Sequence, residues 1–275
     1  DTGSGAAEGG GGGGTAEGRE SFLRQVDGVL AECGGGERVQ RALFSATISP
    51  AVEELAAALL RDPLHITVGV ANAGAATVEQ RLTFVGREDG KLLAIRQLIQ
   101  EGIKPPVLVF LQSKERAKQL YSELAYDGVN VEAIHADRTK EQRDTIIRRF
   151  RKGEVWVLLC TELMARGVDF RAVNVVINYD FPTSAVSYVH RIGRTGRAGR
   201  RGLAITFFTE ADMASLRSIA NVMRLSGCDV PDWMLSLPQQ RKRRRGPPPE
   251  RDGITTRLVP RGKKKAKGKK TRGPP

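Results

Sequence analysis

From residue 78 onward the chain alternates apolar runs with amphipathic stretches, and no other feature restricts its fold so strongly. The runs are RLTFVG, PVLVFL, VEAI, VWVLLC, VNVVINY and LAITFF. Between them helical spacing recurs over 89–101, 114–127, 139–152, 184–192 and 210–224. The runs are rich in Val, Ile and Leu and lack a clean two-residue period. That is the pattern of strands covered on both faces, as in parallel sheets flanked by helices. The alternation predicts an α/β fold with a doubly wound parallel sheet, whose ligands sit at the carboxyl ends of the strands.

The flanks read differently. Residues 1–20 are Gly-rich and nearly devoid of apolar side chains, so they are expected to be disordered. Their Thr2-Gly3-Ser4-Gly5 resembles a phosphate loop but lacks the Lys-Thr or Lys-Ser and the preceding strand such a loop needs. Residues 21–32 are spaced as a helix that stops before Gly34-Gly35-Gly36. Then follow a strand candidate at Val39–Phe44, a helix capped by Ser49 with Pro50 in its first turn, and a strand candidate at 64–70. A small, polar linker follows at 71–77. Residues 238–275 are rich in Lys, Arg, Gly and Pro, again expected to be disordered.

Charge follows this division. Residues 241–275 hold fifteen Lys or Arg against two acids, Glu250 and Asp252, a surplus equal to the chain's net charge of +13. The rest is neutral, so the basic character belongs to the tail. Cys33, Cys160 and Cys228 are too few for a disulfide scaffold and lack metal-ligand spacing. No apolar run is long enough for a spanning helix. No secretory leader precedes the pattern, so a reducing, intracellular compartment is expected.

Three clusters carry chemistry. In HRIGRTGRAGRR, residues 190–201, Arg191, Arg194, Arg197 and Arg200 recur every third residue with glycines between. Guanidiniums suit bidentate phosphate contact, and glycines allow the backbone to come close. A solvated basic turn is the plainer alternative; the position behind a buried strand favours phosphate. In CTELMARGVDF, residues 160–170, Thr161 can cap a helix and offer its hydroxyl to a phosphate, while Asp169 can accept from a ribose hydroxyl. Ser45-Ala46-Thr47 ends an apolar run and alone is a weak signal. His135 reads as a locally satisfied side chain, and Trp156 and Trp233 as core.

Together these strings resemble the DEAD-box RNA helicases. SAT at 45–47, VLVFLQS at 107–113, IHADRTKEQR at 134–143, LLCTELMARGVDF at 158–170 and HRIGRTGRAG at 190–199 occur in that family's order. The resemblance covers about residues 38–237 and implies a complete carboxyl-terminal RecA-like lobe at 78–237, joined through 71–77 to the last part of an amino-terminal lobe at 21–70. FFTEAD, LRSIANVMRLSGC and VPDWM are similar to the nucleolar subgroup of small-subunit ribosome biogenesis.

The resemblance implies roles for particular residues. Arg194 and Arg197 match arginine fingers that reach the γ-phosphate of ATP held on the first lobe. Gly167 and Asp169 match ribose contacts. His190 and Arg191 match residues coupling that site to Ser45 and Thr47. Ser113, Arg143 and Thr161 match positions near the RNA backbone. ATP and Mg2+ are implied as cofactors, bound mainly by first-lobe motifs absent from this sequence, which reads as part of a longer protein. The partners implied are RNA, contacted through its backbone with little sequence preference, and pre-ribosomal proteins, with no membrane and no disulfide. The expected function is ATP-dependent remodelling of RNA in pre-ribosomal RNA processing, in the nucleus and nucleolus. The alternatives are a short form that binds RNA or partners without ATPase activity, and a helicase of another RNA pathway. The chain departs from the family at Ala136, where Gly is usual, and at Lys140, where Gln is usual.

Overall fold

Apolar runs of four to seven residues can bury both faces only where helices cover both sides of a sheet, and the computed structural model has that arrangement. It describes residues 16–33, 39–48, 50–69, 73–165, 168, 170, 173–238 and 251–256. The chain divides into two compact units, Asp1–Ile66 and Thr67–Pro275.

The second unit holds six strands: β1 Val78–Phe84, β2 Val107–Leu111, β3 Val131–Ile134, β4 Val157–Thr161, β5 Val175–Asn178 and β6 Gly202–Phe208. They form one sheet in the order β1-β6-β5-β2-β4-β3, every pair parallel. In register, Val107 lies between Val157 and Val175, and Val157 pairs onward with Val131. Alternate residues serve opposite faces. Val107, Val109 and Leu111 join the core under α3 (Glu88–Gln100) and α4 (Lys114–Tyr126). Leu108 and Phe110 join the core under α5 (Lys140–Arg151). Towards β1, Ala204 and Phe208 pack with α7 (Ala185–Ile192) and α8 (Met213–Leu225). The short helices α6 (Glu162–Ala165) and α9 (Asp232–Ser236) complete this unit.

Local chemistry places the helix starts. Ser113 and Ser184 cap α4 and α7 through their hydroxyls, and Thr139 with Gln142 forms a capping box on α5. Residues 73–77, read as linker, are pinned to the second unit. The Gly74 amide donates to Ser226 Oγ at 2.8 Å, and Thr77 Oγ1 donates to the Gly196 carbonyl at 2.8 Å.

In the first unit, α1 spans Ala16–Glu32 and α2 spans Pro50–Leu59. The first helix thus starts before the residue-20 boundary of the expected disordered segment. Pro50 opens α2 and Glu53 sits in its first turn, as its positive end favours. The Ser49 cap lies outside the described residues. Arg41 donates to the Leu59 carbonyl at 3.1 Å and closes the other end of α2. Neither 39–44 nor the described part of 64–70 is a strand. A strand requires a ladder partner, and the described residues supply none there. Their apolar side chains stand in solvent instead, with Phe44 at 92% and Leu64 at 85% exposure.

Trp156 and Trp233, read as core, are 54% and 49% exposed. The tail differs from its expected disorder at 251–256, which pack against the second unit, with Ile254 buried in the α3–α4 core. No helix among the described residues is long and apolar enough to cross a membrane. The three cysteines are unpaired.

Candidate phosphate and nucleic-acid site

The arginine-glycine turn is built outward from α7. Tyr188, Val189 and Ile192 bury one side of this helix, and the Tyr188 hydroxyl donates to Gln80 Oε1 at 2.8 Å. Arg191 is buried too. Its Nη1 donates to the Asp180 carbonyl at 2.9 Å, and its Nε and Nη2 donate to Glu162 Oε2 at 3.3 and 3.2 Å. The guanidinium lies over the Phe110 ring, 5.4 Å from its centroid. Glu162 also accepts from Ser187 Oγ. Burial pulls the Arg191 pKa down and Glu162 pulls it back. Arg191 thereby ties together the carboxyl ends of β2, β4 and β5.

After α7 the chain turns sharply. Gly196 has φ +67°, and a Cβ there would stand 2.5 Å from Val78 Cγ2, so only glycine fits. Thr195 Oγ1 donates to the Val173 and Asn174 carbonyls at 2.7 and 3.0 Å, which locks the turn against the start of β5. Arg194 Nη1 donates to the Val168 carbonyl at 3.1 Å, and Arg197 Nε to the Gly193 carbonyl at 2.7 Å. Arg197 is exposed and Arg194 half-buried. Each holds a backbone carbonyl with one N–H of its planar fork.

Ser113, Thr161 and Arg143 also converge. Thr161 pairs with Leu111 in the sheet, and Ser113 lies two residues beyond Leu111. Arg143 reaches from α5 to the Met164 sulfur, 3.6 Å away, on the helix that follows Thr161. Its Nε is buried without a hydrogen-bond partner. Three polar side chains from three segments thus lie around the carboxyl ends of β2 and β4. Beside them Asp137 bridges Lys114 and Lys118 at 2.8 and 2.6 Å, which hold its carboxyl at about 2. His135 is buried with Nδ1 unbonded, 4.0 Å from Asp137, so it is not the satisfied histidine its sequence setting suggests. Burial, then Lys118 and Arg138, lowers its pKa.

Sequence reasoning missed Asp180. Its carboxylate is fully buried after β5 and accepts from Arg116 Nε and Nη2 at 2.8 and 2.7 Å, Lys91 Nζ at 3.2 Å and the Gln112 amide at 2.9 Å. Burial pushes its pKa up, but Arg116 and Lys91 prevail and hold it below the ordinary range. An acid closing the apolar run VNVVINY was the available signal.

The remaining expected residues are placed in part. His190 is exposed on α7. Gly167 and Asp169 lie outside the described residues. In the first unit, Ser45 Oγ donates to the Thr47 carbonyl at 2.7 Å and accepts from its amide at 3.2 Å, making a tight turn with Thr47 buried. Among the described residues no three His, Cys, Asp or Glu side chains stand together as a metal site.

Known proteins share the fold of the second unit. Residues 90–199 match the helicase conserved C-terminal domain. The isolated C-terminal domain of the DEAD-box protein Dbp5 is 33% identical, with 87% of it covered by 55% of this chain and a TM-score of 0.50. The chain therefore belongs to the DEAD-box helicase family, and its six-stranded unit is the carboxyl-terminal RecA-like lobe. A probable ATP-dependent RNA helicase, ddx52, of Dictyostelium discoideum is 54% identical over 225 residues, 82% of this chain but 34% of the relative. The chain thus spans about a third of that relative's length. Dbp5 of S. cerevisiae bound to RNA and ADP BeF3 is 30% identical with a TM-score of 0.63, over 77% of this chain and 54% of that one.

Proposed function

We propose that this chain is the phosphate-sensing and RNA-gripping part of an ATP-dependent RNA helicase that remodels RNA duplexes and RNA–protein complexes. One observation carries the reading: Arg191 joins the turn bearing Arg194 and Arg197 to Glu162, next to Thr161 in the RNA-side group. A change at the phosphate end has a rigid route to the RNA end. Arg194 and Arg197 would hold the terminal phosphate of ATP, with Gly167 and Asp169 at its ribose. Bound ATP with Mg2+ supplies the phosphoryl group whose transfer drives the cycle, and guanidiniums neutralise the charge that develops there. Ser113, Arg143 and Thr161 would take RNA phosphates and 2′-hydroxyls, contacts that carry little sequence information.

The string similarity noted above and the basic tail support work in pre-ribosomal RNA processing and small-subunit assembly, in the nucleus and nucleolus, beside pre-ribosomal proteins. The test joins this chain behind the nucleotide-binding lobe of a curated relative and measures ATP turnover with and without single-stranded RNA. RNA-stimulated turnover is expected. A folded, RNA-binding fusion without turnover would favour an ATPase-inactive binding module.

A further inference from the structure

The segment 251–256 sits on the second unit like a bound peptide. The Arg251 side chain is 5% exposed. Its Nε donates to Gln112 Oε1 at 2.9 Å, its Nη1 to Glu88 at 2.5 Å and its Nη2 to Asp212 at 2.7 Å. The Asp252 carbonyl accepts from Arg116. The Ile254 amide donates to Gln119 Oε1 at 2.9 Å while its side chain fills the apolar core, and Thr256 bonds Glu123 through its amide and hydroxyl at 3.2 and 3.0 Å. Gln112, Arg116, Gln119 and Glu123 are spaced four, three and four residues apart, so they line one face at and along α4.

The charges argue for a dedicated fit. Glu88, Asp180 and Asp212 face Lys91, Arg116 and Arg251. With Arg251 removed, three acids share two cations in a largely buried cluster, which is costly. A planar fork that reaches three acceptors at once cannot be replaced by an ammonium.

We propose that residues 251–256 are a clasp, an Arg-x-x-Ile segment recognised by its own groove, and that Arg251 is a positioning residue for the corner Gln112–Ser113. The clasp itself stands on the contacts above; its bearing on RNA, through Ser113, rests on the function proposed in the preceding section. An exposed Arg-Gly tail would have no such contacts, and a purely electrostatic role for Arg251 would not involve Ile254.

The test uses the full chain and three variants, Arg251→Ala, Arg251→Lys and Ile254→Ala, with amide hydrogen exchange and single-stranded RNA binding as readouts. In the parent, amides of 254–256 are expected to be protected. Arg251→Ala loses charge-assisted hydrogen bonds and Ile254→Ala loses core packing, so both should exchange about tenfold or more faster at 112–119, and lysine should recover only part of the protection lost in Arg251→Ala. RNA affinity should fall in both alanine variants, although Ile254→Ala changes no charge. Unprotected amides at 254–256 in the parent, or unchanged exchange at 112–119 in both alanine variants, would overturn the clasp. Loss of RNA affinity in Arg251→Ala alone would overturn the positioning role and leave a charge effect. A parent that binds no RNA would sink the RNA reading, while the exchange data still decide the clasp.

Discussion

Asp180 hydrogen-bonds Arg191 through its backbone carbonyl. The carbonyl of Asp180 accepts from Arg191 Nη1 at 2.9 Å, while its carboxylate is committed to Arg116 and Lys91. One residue thus joins two guanidinium systems, one leading to the phosphate turn and the other to α4 and the clasp. Each can be perturbed while the other keeps its partners.

Glu162→Gln should weaken the first system. Arg191 stays buried and keeps the Asp180 carbonyl, but its Nε and Nη2 lose a charged acceptor. Hydrogen bonds to charged groups contribute about 1.5–3 kcal/mol, and Glu162 is only 25% exposed, so a loss of about 1–2 kcal/mol is expected. Urea unfolding measures it. A midpoint equal to the parent's would show that Glu162 does not hold Arg191 in solution.

Acid should release the clasp before it unfolds the sheet. At Asp212 burial raises the pKa, yet Arg251 prevails and holds it below the ordinary carboxylate range, as Arg116 and Lys91 do for Asp180. A depressed carboxylate pKa gives stability that is complete above the unfolded value, about 4, and is lost as pH falls through the lower folded value. Asp180 and Asp212 are the titrating groups; Arg116 and Arg251, whose pKa values are raised, stay charged throughout. Limited proteolysis at 251–256 should therefore be flat above about pH 5 and rise below about pH 4. Asp212→Asn should raise cleavage at neutral pH and reduce that pH dependence. A parent profile that rises between pH 5 and 8 would contradict this assignment.

The basic blocks RKRRR at 241–245 and KKKAKGKK at 263–270 should add affinity for RNA without sequence preference. Each phosphate contact on a single strand contributes about −0.7 to the log–log salt slope, so about four to six contacts add about −3 to −4. Replacing these Lys and Arg by Gln, with Arg251 kept, should flatten the slope by that amount and weaken unrelated RNAs about equally. An unchanged slope would assign the blocks to nuclear import or a protein partner.

The sheet was legible because its strands are buried on both faces, and a run such as VLVFL can be little else. The arginine turn was legible because Gly196 is required by φ +67° and by its contact with Val78. The first unit was less so. The strings at 39–44 and 64–70 have strand composition, but a ladder needs a partner strand that composition cannot supply. The clasp was hidden for a related reason. Arg251 reads as one more tail cation, and only the fold brings Glu88, Gln112 and Asp212 around it from three distant segments. Asp180 was overlooked because a buried acid depends on cations that lie 64 and 89 residues away in sequence.

The central claim is that Arg194 and Arg197 act on a phosphate. Its most direct test is RNA-stimulated ATP turnover by this chain fused behind a relative's nucleotide-binding lobe, with Arg194→Ala, Arg197→Ala and the lysine variants. Arginine fingers contribute about 10³–10⁵ in rate, so each alanine variant should lose several orders of magnitude while its unfolding midpoint and RNA affinity stay near the parent's. Lysine should rescue poorly, since a point charge cannot reproduce the planar fork. Turnover within about twofold of the parent for both alanine variants would contradict the account.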